Sequence, residues 1–280
     1  MSNLSQLWQV LPTLLLLAAV PLGLIGLWYF SGWRLKQALA QPFPTAWRRI
    51  LQRRWPLYNQ LPPLRALQLR RLIAQFLYQK QFIGCAGLEV TEEMKLLVAA
   101  QACLLLVGRR RAELFPRLSQ VLLYPSDFVV PRNSEEAGVV TQGSASLAGE
   151  SWSDGRVILA WDRVLDGLHH EEHAGNVVIH EFAHQLDSES GVTNGAPVLP
   201  NGAAYQRWAK VMQHEFEQLR HAERQGAPSV IDFYGAQNPA EFFAVICETF
   251  FMQPQPLFEQ HLALYQELSR YFRVDPRAWH

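Results

Sequence analysis

The sequence predicts an α-rich α+β domain preceded by one transmembrane helix. Three observations carry this. Apolar residues recur at helical spacing between about 64 and 118, and again from 174 to 280. Between them, residues 119–165 change to short β-prone runs split by prolines and glycines. Ahead of both, no charged side chain appears before Arg34. The expected organisation is an anchor over residues 1–34 and one domain over 35–280.

At the amino terminus, Leu11 to Phe30 is almost wholly apolar. About twenty such residues suffice to cross a hydrocarbon core as a helix. Trp8 stands at one end and Trp28, Tyr29 and Trp33 at the other, so residues 8–33 form the expected membrane contact. Pro12 and Pro21 are tolerable in such a helix. Arg34, Lys36, Arg48, Arg49, Arg53 and Arg54 follow, which puts the body of the protein on the cytoplasmic side of an inner membrane. A secretory signal peptide is the rival, with Ala38-Leu39-Ala40 as its cleavage site, but its charges should precede the apolar run. The basic run suits anionic lipid head groups better than nucleic acid. Net charge is zero over 280 residues, so no global field favours a nucleic-acid partner. Cys85, Cys103 and Cys247 are odd in number and form no CxxC, which argues for small buried side chains in a reducing compartment.

Pro42, Pro44, Pro56, Pro62 and Pro63 mark a juxtamembrane region of short turns and helices. Leu64 to Tyr78 follows as an amphipathic helix. Thr91 then caps a second helix through Leu105, and Arg109-Arg110-Arg111 reads as its solvated end. The strands are Val121–Tyr124, Phe128–Val130, Val139–Val140 and Arg156–Trp161. Asn194-Gly195 and Pro197 to Asn201 are turns. Ala204–His221, Asn238–Phe251 and Leu257–Phe272 are the closing helices. No Gly-rich phosphate loop and no G-x-S-x-G occur, so nucleotide and serine-hydrolase chemistry lack support.

The chemistry centres on Val177 to Leu186, which contains His180-Glu181-Phe182-Ala183-His184 in an apolar run. Residues four apart share a helix face, so two imidazoles can hold one ion with the glutamate beside it. Two core histidines bonded to carbonyls are the bland alternative. A catalytic zinc needs a third protein ligand, and Glu215, Glu217, Glu241 and Glu248 are the downstream candidates. Glu241 also completes a capping box with Asn238, with Pro239 at N1. Glu248 lies seven residues on, on the same face. The residues favour Glu241 as ligand and Glu248 as the group that orients a ligand histidine. Asp187 is a further candidate for that orienting task. His169-His170-Glu171-Glu172-His173 matches an inverted zinc motif but sits between Gly167 and Gly175 without apolar periodicity, so it reads as a polar loop.

Asn176 to Asp187 and Pro239-Ala240-Glu241-Phe242-Phe243-Ala244-Val245 resemble the signatures of the Mlc titration factor A family of zinc peptidases. Gly87–Thr91, Ala99–Cys103, Tyr124–Phe128 and Gly149–Trp152 are similar to the same family, so the resemblance runs from about Trp47 to Tyr271. Its active site is similar to that of gluzincins of the anthrax lethal factor kind. The resemblance implies a zincin-like metallopeptidase domain with His180, His184 and Glu241 as zinc ligands, Glu181 as catalytic base and Tyr234 as a catalytic tyrosine. It implies hydrolysis of a peptide or protein substrate. It also implies an alternative of another class, a regulator that sequesters a transcriptional repressor of the Mlc kind. A structural zinc is the third reading. The family's better-known members are cytosolic, which is the alternative location.

Overall fold

Helix capping and apolar spacing account for most of the observed elements. The computed structural model describes residues 33–37, 39–109, 113–126, 155–168 and 175–279. The chain divides into two units, Met1–Pro42 and Phe43–His280. In the first, residues 33–37 and 39–40 are helical.

The second unit opens with α1 (Thr45–Arg54) and α2 (Pro56–Gln60), whose Leu51, Leu57, Tyr58 and intervening Trp55 are buried. This stretch, read in sequence as a juxtamembrane region of short turns and helices, does form short helices and belongs to the second unit. The Trp47 Nε1–H donates to Glu92 at 2.7 Å, and Arg54 pairs with Glu93 at 2.9 Å. Helix α3 (Pro63–Gln79) starts with proline at N1, where the missing N–H costs nothing, and buries Leu69, Ile73 and Phe76. Strand β1 (Gln81–Gly84) follows. Helix α4 (Glu92–Leu104) starts at Thr91, whose hydroxyl accepts the Met94 N–H at 3.2 Å, and every residue from Leu96 to Leu104 is buried.

Strands β2 (Gln120–Tyr124) and β3 (Arg156–Ala160) complete a three-stranded sheet in the order β1-β2-β3, parallel throughout. Gln81 pairs with Gln120, and Gln120 with Arg156. Val121, Leu123, Val157 and Leu159 alternate inward, as one-sided burial requires. β1 lies inside the segment expected to be helical. Phe128–Val130 and Val139–Val140 lie outside the described residues, as does the 169–173 cluster.

After the short α5 (Trp161–Asp166) come α6 (Val177–Asp187), α7 (Gly202–Gln225), a 3-10 turn at Phe233–Ala236, α8 (Pro239–Met252), α9 (Pro254–Gln260) and α10 (Leu262–Phe272). Helices α6 and α8 pack directly on one another, and α6 also meets α4 and β3. Phe182 fixes α6 to the core through Phe115 at 4.8 Å and Phe76 at 5.7 Å between ring centres. Phe243 of α8 meets Trp208 of α7 edge-on at 5.8 Å. Arg109, expected at a solvated helix end, instead pairs with Glu189 at 3.5 Å and lies 5.5 Å from the Tyr271 ring centre.

The expectation of a transmembrane helix is corrected here. Among the described residues no helix is long and apolar enough to cross a membrane. α7 has the length, 24 residues, but carries charge along an amphipathic surface that includes Arg207, Lys210, Glu217 and Glu223. α8 is apolar but has 14 residues, about 21 Å of rise against a core of about 30 Å. Single-pass inner-membrane placement, with contact through residues 8–33, therefore falls with it. Leu11–Phe30 itself lies outside the described residues.

Candidate metal centre

Helix α6 begins at Asn176, whose side-chain oxygen accepts the Ile179 N–H at 2.9 Å. From that start the helix turns His180 and His184 to one side, with ring centres 4.9 Å apart. His184 is wholly buried. Helix α8 begins at Asn238, whose side-chain oxygen accepts the N–H groups of Ala240 and Glu241, both at 3.0 Å. The Glu241 side chain turns toward the histidines of α6. Its Oε2 lies 3.0 Å from His180 Nε2 and 3.4 Å from His184 Nε2, and the two Nε2 atoms are 3.2 Å apart.

These three donor atoms form a nearly equilateral triangle. Bonds of roughly 2.0–2.1 Å to a tetrahedral zinc give donor-to-donor edges of about 3.3 Å. The observed edges bracket that value, so the three atoms are spaced to share one ion. His180, His184 and Glu241 are accordingly the group, among the described residues, that can hold a metal ion. Two imidazoles and one carboxylate suit zinc.

Glu248 stands behind the triangle. Its Oε1 lies 2.7 Å from His180 Nδ1, and its Oε2 accepts the Asn176 N–H. A proton on Nδ1 satisfies that contact and leaves the Nε2 lone pair for an ion. The carboxylate of Asp187 takes other work: its Oδ2 accepts the Gly195 N–H at 2.7 Å. Gly195, at φ +79°, presses on the Pro239 carbonyl, where a Cβ would approach to 2.4 Å. Only glycine combines that φ with that approach. Trp208 Nε1–H binds the Gly195 carbonyl at 2.9 Å, so this turn ties α7 to the start of α8.

Glu181 is 3% exposed, beside the histidines on α6. Tyr234, on the 3-10 turn, is half-exposed, and its ring centre lies 5.7 Å from that of His180. Burial lowers the affinity of His180 for a proton, but hydrogen bonds to Glu241 and Glu248 outweigh it and push its pKa well up. Burial pulls His184 down, with the neighbouring His180 acting in the same sense. Burial favours the neutral form of Glu241, yet the two histidines hold it at about 2. Burial, then the charges of Glu241, Glu181 and Glu248, push the Tyr234 phenol up.

Of the other sequence candidates, Glu215 lies elsewhere, 2.7 Å from His261 Nδ1, and Glu217 accepts from Gln213 on α7 at 3.0 Å. The sequence reading assigns no role to Asn176 or Gln101, which the structure joins to Glu248. An asparagine immediately before an apolar helix is a cap signal, and both residues lie in stretches that resemble the family, but neither signal points to Glu248.

The chain matches the family described as Glucose-regulated metallo-peptidase M90 over residues 30–273. It is 42% identical over 273 residues to the uncharacterized protein slr2042 of Synechocystis sp. (strain ATCC 27184 / PCC 6803 / Kazusa), covering 95% of this chain and 98% of that protein. It is 34% identical over 226 residues to Mlc titration factor A of Yersinia pestis (strain Pestoides F), covering 78% of this chain and 82% of that one. Mlc titration factor A of Yersinia pseudotuberculosis serotype O:1b (strain IP 31758) is similar to the same extent.

Proposed function

Because the chain belongs to the glucose-regulated metallo-peptidase M90 family, we propose that it is a zinc-dependent peptidase acting at His180, His184 and Glu241. The single observation that carries this reading is the donor triangle, with edges of 3.0, 3.2 and 3.4 Å. A zinc ion, when bound, supplies Lewis acidity that lowers the pKa of a water to about 7 and polarises a carbonyl.

The chain's own residues do the rest. Glu181, nearly buried next to the first histidine, takes the proton of the attacking water and returns it to the leaving amine. Tyr234 donates its phenolic hydrogen to the oxygen that gains charge on attack. That contact strengthens in the transition state and so acts on turnover. Glu248 keeps the His180 ring turned toward the ion.

The Yersinia relatives carry the name Mlc titration factor A. A repressor-binding role for this chain would not call on Glu181, whereas hydrolysis does. Glu181→Gln should keep bound zinc and lower cleavage of a peptide library by at least about 10²-fold. Cleavage at the wild-type rate by that variant would refute the mechanism.

A further inference from the structure

Gln101 is an amide in the middle of an otherwise apolar run of α4, and it is 0% exposed. A buried amide is destabilising unless its hydrogen bonds are made, so its partners say what it does. Its Nε2 donates to the Leu97 carbonyl at 3.3 Å, which turns Oε1 outward from α4. That oxygen accepts from Asn176 Nδ2 at 2.8 Å.

Asn176 is 1% exposed and uses every polar atom it has. Nδ2 also donates to the Gly167 carbonyl at 2.8 Å, Oδ1 caps α6, and the backbone N–H reaches Glu248. Glu248 in turn holds His180 Nδ1. A continuous line of hydrogen bonds therefore runs from α4, through the residue ahead of α6, to a histidine of the donor triangle. Two glycines make room for it. A Cβ at Gly175 would come within 2.9 Å of Glu248 Oε2, and one at Gly167 within 2.9 Å of Asn176 Cγ.

Asn176 is the N-cap of α6: its carbonyl accepts the His180 N–H at 2.9 Å, but no intrahelical bond fixes its own N–H. Its side chain, clamped between Gln101 and Gly167, fixes it instead. We propose that Asn176 and Gln101 are positioning residues of the metal centre, acting through Glu248 on the orientation of His180. This rests on the metal-site reading above. Neither residue touches the ion or the substrate. They set the angle at which the His180 lone pair meets the metal, which Glu248 could not hold with one of its oxygens unrestrained.

The test uses the full chain and zinc alone. Asn176→Asp keeps the oxygen that caps α6 but loses the donor to Gln101 and Gly167. Gln101→Met keeps the shape of the buried side chain but loses the acceptor. Zinc affinity is measured by competition with a chromophoric chelator, and ligand geometry by the visible spectrum of the cobalt-substituted protein. Melting of the metal-free protein is followed alongside. Each variant should bind zinc about tenfold more weakly, with a shifted cobalt spectrum. Gln101→Glu, which restores an acceptor facing Asn176, should recover affinity relative to Gln101→Met.

A merely structural role would lower the metal-free melting temperature and leave zinc affinity and the cobalt spectrum unchanged. That result, or affinities within twofold of wild type in both variants, overturns the proposal while the metal site stands. A wild-type chain that takes up no zinc overturns the metal-site reading and the proposal together.

Discussion

At the residue scale, the histidine pair is readable from sequence because two ligands on one helix need only a spacing of four. Choosing Glu241 over Glu248 required more than spacing, since both lie on one face of α8. The structure separates them by direction: Glu241 Oε2 meets both Nε2 atoms, while Glu248 reaches round to the far nitrogen of His180. Tyr234 has no periodic signal at all, because it sits on a four-residue 3-10 turn, too short to leave a pattern. Its proposed role is open to direct test. Tyr234→Phe should lower kcat on the order of 10²-fold while zinc content and KM stay near wild type. An unchanged kcat would remove the tyrosine from the mechanism. Asn176 and Gln101 were opaque for a different reason. A buried amide looks, in sequence, like any polar residue, and only its partners distinguish it.

At the element scale, the helices with strong caps were legible: α4 from Thr91 and α8 from Asn238. The one helix expected over Leu257–Phe272 is instead two, α9 and α10, divided at His261. Strand β1 was not legible. Gln81-Phe82-Ile83-Gly84 is short, ends in glycine, and follows directly on a seventeen-residue helix. Its place in the sheet comes from pairing with β2, which no local preference records. The carboxyl-terminal end shows how local charge steadies an element. After α10, the Asp275 carboxylate accepts from Tyr265 Oη and from Arg277, whose guanidinium also covers the Phe258 ring at 3.7 Å. The Arg277 hydrogen bonds, with help from Tyr265 and against burial, hold Asp275 at about 2, below its ordinary 3.8. A carboxyl depressed on folding stabilises the fold above its unfolded pKa and ceases to as pH falls through the folded one. The pair is half-exposed, so solvent screening keeps the effect small. Denaturation midpoints of wild type and Asp275→Asn should therefore differ above pH 4 and converge toward pH 2. A gap of constant size across that range would contradict the assignment.

At the scale of the whole molecule, the apolar core does not depend on the site. The contacts among the Phe76, Phe115 and Phe182 rings, between Trp208 and Phe243, and around Phe250 and Phe272 are made without any of the three donor side chains. Metal removal should silence cleavage and leave the fold. With a chelator, the helical circular dichroism at 25 °C should persist. Zinc at a hundredfold over its Kd should add about 2.7 kcal/mol to stability. Unfolding on chelation would instead indicate a structural ion. The helix-rich character of this body was legible in its periodicity. Strands β2 and β3 of its small sheet were legible as β-prone runs, but β1 and the parallel pairing were not, because the three strands come together only through long connections. The transmembrane expectation failed at this scale too: among the described helices none is both long and apolar enough to cross a membrane.

The triangle draws its third corner from 61 residues beyond its first, since His180 lies on α6 and Glu241 on α8. A ribosome delivers those helices in order, and the histidines emerge first. Until Pro239-Ala240-Glu241 has left the exit tunnel, the nascent chain offers an incoming ion two nitrogens and no carboxylate. On the proposed reading of the site, tight capture of zinc would follow synthesis of α8. The rise in zinc affinity of the growing polypeptide would then mark the docking of α8 on α6.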